Sequence, residues 1–65
     1  MRELDTLLTR YLEDSFPAAG LEEQQAFRAL LELADPVLWA YVLGQQVPAD
    51  RLTRHVIERI SATRA

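Results

Sequence analysis

Residues 30–44, LLELADPVLWAYVLG, constrain the fold more than any other part of this chain. A helical pattern ends within them, Asp35-Pro36 restarts the backbone, and a second short helix follows. Val37, Leu38, Trp39, Tyr41, Val42 and Leu43 are spread around the whole circumference of that second helix, with only Ala40 small. A helix that is apolar on every side has to be covered by something. With 65 residues in all, the chain has little left to cover it. A domain of this size buries only about 60% of the surface its unfolded form exposes, so its stability is marginal unless a partner, a second copy or further sequence adds cover.

Composition removes several ways out. Cysteine is absent, which excludes a disulfide framework or a thiolate metal site as the staple. No apolar run approaches the roughly 18 residues of a membrane span, and the opening MRELDTLL lacks the apolar core of a signal peptide. A soluble cytoplasmic protein without membrane insertion is expected. Seven basic residues against ten acidic give a net charge of −3. That balance disfavours a general nucleic-acid binder, because phosphate contacts need an electropositive face.

The periodicity predicts an all-α fold, a small compact bundle of four helices with no strand, in one domain over residues 1–60 with a frayed tail at 61–65. In the first helix Leu4, Leu7, Leu8, Tyr11 and Leu12 form an i, i+3, i+4, i+7, i+8 stripe that should end near Phe16-Pro17. A connector over 17–20 leads to a second helix, about 21–34. Glu22 and Glu23 lie in its first turn, where the helix dipole favours negative charge. Its apolar residues Ala26, Phe27, Leu30, Leu31, Leu33 and Ala34 fall within an arc of about 160°. Asp35 suits an N-cap and Pro36 the first helical position, so a third helix should run over 37–43, closed by Gly44 in the left-handed conformation. Pro48 is expected to open the fourth helix, with Leu52, Val56, Ile57 and Ile60 inward and Arg51, Arg54, His55 and Arg59 outward.

The residue types that carry chemistry are sparse. Two isolated glycines cannot make a phosphate-cradling loop. The one histidine, His55, sits on a face expected to be solvated, and a metal site needs several convergent ligands. Ser15 and Ser61 show no activating base, and the carboxylates fall on polar faces. Residues 50–65 carry four arginines against Asp50 and Glu58, a local balance of +2 where the rest of the chain is at −5. Such a stripe can meet an acidic partner or a nucleic acid. Its ordinary use is to keep an exposed helix face soluble and to complement the helix dipole. The tight corner between the second and third helices would suit a helix-turn-helix, yet the third helix offers no arginine or polar base-reader. Trp39 and Tyr41 are either core residues or interface anchors.

Met1-Arg2-Glu3-Leu4-Asp5, followed by Leu30-Leu31-Glu32, Asp35-Pro36, Leu38, Trp39 and Tyr41 and then Pro48-Ala49-Asp50, resembles the FAD assembly factor family of succinate dehydrogenase. These proteins are also called flavinators, and bacterial members are described as antitoxins as well. The similarity covers residues 1 to about 60 in order and with the family's spacing. It implies a helical bundle, usually of five helices. It also implies an assembly chaperone that is not an enzyme, binds the flavoprotein subunit of succinate dehydrogenase or the related fumarate reductase, and promotes covalent attachment of FAD to one of the client's histidines. FAD is then the client's cofactor, with none held stably by this chain. The alternatives are a generic protein-binding module, an antitoxin-like partner of a small protein, or a DNA-binding domain.

The family's signature is Arg-Gly-x-x-Glu, and this chain starts inside it: Met1 and Arg2 stand at the variable positions and Glu3 at the final Glu. The Arg-Gly pair and the family's first helix are missing, so self-association or loose packing is expected. The resemblance places the partner-binding residues at Arg2, Glu3 and Asp5, with Asp35, Pro36 and Trp39 as a second cluster. The competing roles are simple ones, capping for Asp35-Pro36 and a dipole-favoured first turn for Glu3.

Overall fold

The computed structural model describes residues 2–62. The opening helix α1, Arg2–Asp14, buries Leu4, Leu7 and Tyr11, and carries Glu3 and Asp5 in its first turn. It stops because Pro17 cannot supply an amide hydrogen to a continuing helix. The chain makes a single 3₁₀ turn over Phe16–Ala18 instead of the plain connector expected. Gln24 reaches back to that turn and donates from Nε2 to the Phe16 carbonyl at 2.9 Å.

Helix α2, Leu21–Leu30, is four residues shorter than the pattern suggests. Beyond Leu30 the amides of Glu32 and Leu33 bond three residues back, to the Ala29 and Leu30 carbonyls, in a tighter turn than an α-helix. Ala34 then turns extended, with ψ of 145°, and is itself the N-cap of α3, Asp35–Val42. Its carbonyl accepts from the amides of Val37 and Leu38. Asp35 is therefore the first helical residue and not the cap, and Pro36 sits one place further in than expected. Pro36 is tolerated there because the first-turn amides have no intrahelical acceptor anyway.

Helix α3 ends as anticipated. Gly44 adopts φ of 79°, its amide bonds to the Tyr41 carbonyl at 3.1 Å, and the Gln45 amide bonds to Ala40 at 2.9 Å. These are the two bonds of a Schellman cap. Pro48 does not open the last helix. It is buried in the linker, and Asp50 is the true cap of α4, Arg51–Ala62. The Asp50 Oδ2 accepts from the amide and from the hydroxyl of Thr53, each at 2.9 Å. A helix takes its start where a side chain can serve its orphan amides, and Asp50 does this where Pro48 cannot.

Helix α4 runs through the middle of the assembly and packs on α1, α2 and α3. Its Val56, Ile57 and Ile60 meet Leu4, Leu7, Tyr11, Phe27, Leu30, Leu38 and Val42 in one core. Tyr11 and Phe27 stack at 4.6 Å between ring centres, with Phe16 beside Phe27 at 5.6 Å. No strand occurs among the described residues. The tail expected at 61–65 begins as helix, since Ser61 and Ala62 belong to α4. Ser61 donates from Oγ to the Val42 carbonyl at 3.0 Å, tying the ends of α3 and α4 together. Residues 63–65, like Met1, lie outside the described residues.

Candidate protein-contact surface

Arg2, Glu3 and Asp5 are all exposed on the first turn of α1. Arg2 and Asp5 line a shallow surface groove with Thr6, Thr9, Arg10 and Glu13. Every wall of that groove comes from α1, so it does not join this group to the second one. Asp35 and Pro36 are exposed at the start of α3, and Trp39 lies one turn further along, half-buried and packed against the core. Trp39 thus supports the fold with part of its side chain while the rest stays accessible. The all-round apolar helix divides in the same manner. Leu38, Ala40 and Val42 are buried, while Val37 is exposed and Tyr41 and Leu43 are half-buried.

The strongest polar constellation is one that local patterning does not reveal. The Glu23 side chain is only 15% exposed. Tyr11 Oη donates to Glu23 Oε2 at 2.6 Å, His55 Nε2 lies 3.2 Å from Oε1, and Arg59 Nε lies 3.7 Å from Oε2. A carboxylate placed for the α2 dipole therefore also ties α2 to α1 and α4. His55 remains half exposed but is held by this contact, where a wholly solvated side chain was expected. Burial raises the Tyr11 phenol above its ordinary value. The hydrogen bond to Glu23 and that group's negative charge add to the rise, against a smaller opposing effect of Arg59. Tyr11 therefore stays a protonated donor at neutral pH. At the other end of α4, the hydrogen bonds from Thr53 hold the Asp50 carboxyl below its ordinary value.

Leu12 and Leu31 depart from the expected core. The periodicity points both inward, yet they stand 47% and 49% exposed. Both line a groove between α1 and α2 that also includes Leu8, Phe16, Phe27 and Arg28. The signal for this surface was present in the sequence as an apolar stripe wider than one small core can absorb. Among the described residues no group of three or more histidines or carboxylates could hold a metal ion. Nor is any helix there long and apolar enough to cross a membrane.

A surface of exposed charges and half-buried apolar side chains suits binding to another protein. The family described as "Flavinator of succinate dehydrogenase" matches residues 1–64 of this sequence. The chain belongs to that family. Relatives agree: the FAD assembly factor SdhE of Coxiella burnetii is 35% identical over 60 residues, covering 92% of this chain and 73% of the relative. The Pseudomonas aeruginosa protein of the same name is 31% identical over 64 residues, 92% of this chain and 76% of its own length. A Methylococcus capsulatus relative, also an FAD assembly factor SdhE, is 40% identical over 50 residues, 77% of this chain and 60% of the relative. No solved structure matches the chain.

Proposed function

We propose that this flavinator-family protein is a cytoplasmic assembly factor without catalytic chemistry of its own. Its client is the flavoprotein subunit of succinate dehydrogenase, or of the related fumarate reductase, and its effect is to promote covalent FAD attachment there. The observation that carries this reading is family membership over residues 1–64. The bonds made and broken belong to the client and its flavin. What a small helical protein can add is selection of the client conformation in which histidine and flavin already stand in attack geometry, a positioning effect that can be large.

The contact residues in this reading are Arg2, Glu3 and Asp5 on α1 and Asp35, Pro36 and Trp39 on α3. Their exposure supports the assignment for the first five, and the half-buried indole supports it for Trp39. A partner reaching α1 and α3 together would also cover part of the apolar surface that α3 leaves open.

The reading is tested by affinity capture with the tagged chain in cells that make the flavoprotein subunit, followed by mass spectrometry. The expected result is a near-stoichiometric flavoprotein subunit. Capture of a small toxic protein in its place would contradict it, as would salt-dependent retention on DNA.

A further inference from the structure

Between the end of α3 and α4 lies an apolar groove lined by Tyr41, Leu43, Val47 and Ile57, with Arg54 and Glu58 as its charged members. Tyr41 and Leu43 are half-buried, and Val47 stands 69% exposed in the linker. Covering such a surface is favourable.

The two charges say what can cover it. Asp50, Arg54 and Glu58 follow one another at four-residue steps, so an acid, a base and an acid lie along one side of α4. Arg54 acts on Asp50, where its charge adds to the Thr53 hydrogen bonds that hold that carboxyl low. On a helix an acid four residues before a base is the favourable order, and an acid four residues after it is the poorer one. Glu58 accordingly makes no ion pair among the described residues. The groove therefore presents opposite charges one helical turn apart, a pattern that complements itself. When two copies of α4 lie antiparallel about a twofold axis passing between these positions, each Arg54 faces the other copy's Glu58. The groove between α1 and α2 carries a single charge, Arg28, and the one beside Ala26 and Ala29 carries Asp50 alone.

We propose that a second copy of this chain covers the groove between α3 and α4, in an antiparallel twofold dimer that pairs Arg54 with Glu58 across the axis and buries Val47 of both copies. A stable contact takes about 800 Å² per partner, near a fifth of this chain's 4362 Å². That is a whole face of a molecule measuring 26 × 24 × 21 Å, and the groove with its charged edge is part of one face. The dimer is accordingly weak, with a Kd of about 10–100 μM. None of Arg2, Glu3, Asp5, Asp35, Pro36 or Trp39 lines this groove, so the proposal is independent of the client reading above.

The test is sedimentation equilibrium of the full chain from about 1 μM to about 1 mM, with Arg54→Glu, Glu58→Arg and Val47→Gln variants whose folding is checked by thermal melting. The wild-type mass should rise with concentration from 7.4 kDa towards twice that value. Each variant alone should associate about tenfold more weakly, the charge variants because they set like charges against each other across the axis. An equimolar mixture of Arg54→Glu and Glu58→Arg chains should regain association, since every cross-axis pair is then opposite in sign. If a charge variant melts early, Val47→Gln carries the test, because it removes an exposed side chain. A wild-type monomer throughout would overturn the proposal, as would wild-type association in the folded variants or a mixture no better than its components. A monomer whose Val47→Gln variant loses the flavoprotein subunit would assign the groove to the client and also overturn it.

Discussion

Glu23 is where three helices meet through one carboxylate, and its partners explain why the sequence shows so little of this. Tyr11 and His55 are remote in the chain, whereas helical patterning reports only neighbours three or four residues away. The dipole role of Glu23 was therefore legible and its bridging role was not. Replacing Glu23 by Ala should cost about 1–3 kcal/mol in chemical denaturation, because the buried Tyr11 hydroxyl loses its acceptor. Tyr11→Phe should cost less, about 1 kcal/mol, since it removes the donor along with the need. The pH dependence follows from the raised Tyr11 value. The folded state holds the phenolic proton more tightly than the unfolded chain does. This contribution is fully present below the ordinary value near 10 and is lost as pH rises beyond it. Tyr11→Phe should remove that alkaline loss in a melting series. Glu3 is the opposite kind of residue, exposed and legible only through the family signature. Glu3→Ala should lower client flavinylation while changing stability by less than about 1 kcal/mol, both measured on the same preparation. Flavinylation equal to wild type at matched concentrations would remove Glu3 from the contact.

The helices themselves were largely legible, and their ends less so. The four apolar patterns and the Gly44 stop are present because periodicity and a left-handed glycine are local properties. The starts of α3 and α4 depend on which residue satisfies the first amides, and a proline does not decide that. Ala34 takes the cap conformation ahead of Asp35, and Asp50 takes it two residues after Pro48. The Asp50-x-x-Thr53 spacing was visible and could have placed the start of α4. Because its hydrogen bonds lower the Asp50 value, the folded state favours the ionised cap. That stabilisation is present above the ordinary carboxylate range and is lost as pH falls through the lowered folded value. Asp50→Asn should keep the cap at neutral pH and abolish this part of the acid-side loss, whereas Asp50→Ala should lower the melting temperature already at neutral pH.

At the scale of the whole molecule, the chain closes around α4 with a radius of gyration of 10.6 Å, matching the roughly 10.7 Å of a compact domain of this length. The core takes the inner half of each apolar stripe and leaves Leu12, Leu31, Leu33 and Val37 outside it. That division could not be read from periodicity, which assigns residues to a face without saying how much of the face its neighbours can reach. The excess apolar surface that residues 30–44 announce is thus distributed between α3 and the groove beside α2, in keeping with a protein built to be held by another. The proposed contact residues rest on resemblance, since exposed charges on a helix look alike until a partner is known. A chain that promotes covalent flavin attachment to its client has to change one quantity, the covalent flavin per client subunit. Purified apo flavoprotein subunit is incubated with FAD, with and without the chain, then denatured and read by in-gel flavin fluorescence. The chain should raise the covalent fraction several-fold at equimolar concentration, whereas an equal fraction with and without it would rule out its role in flavin attachment.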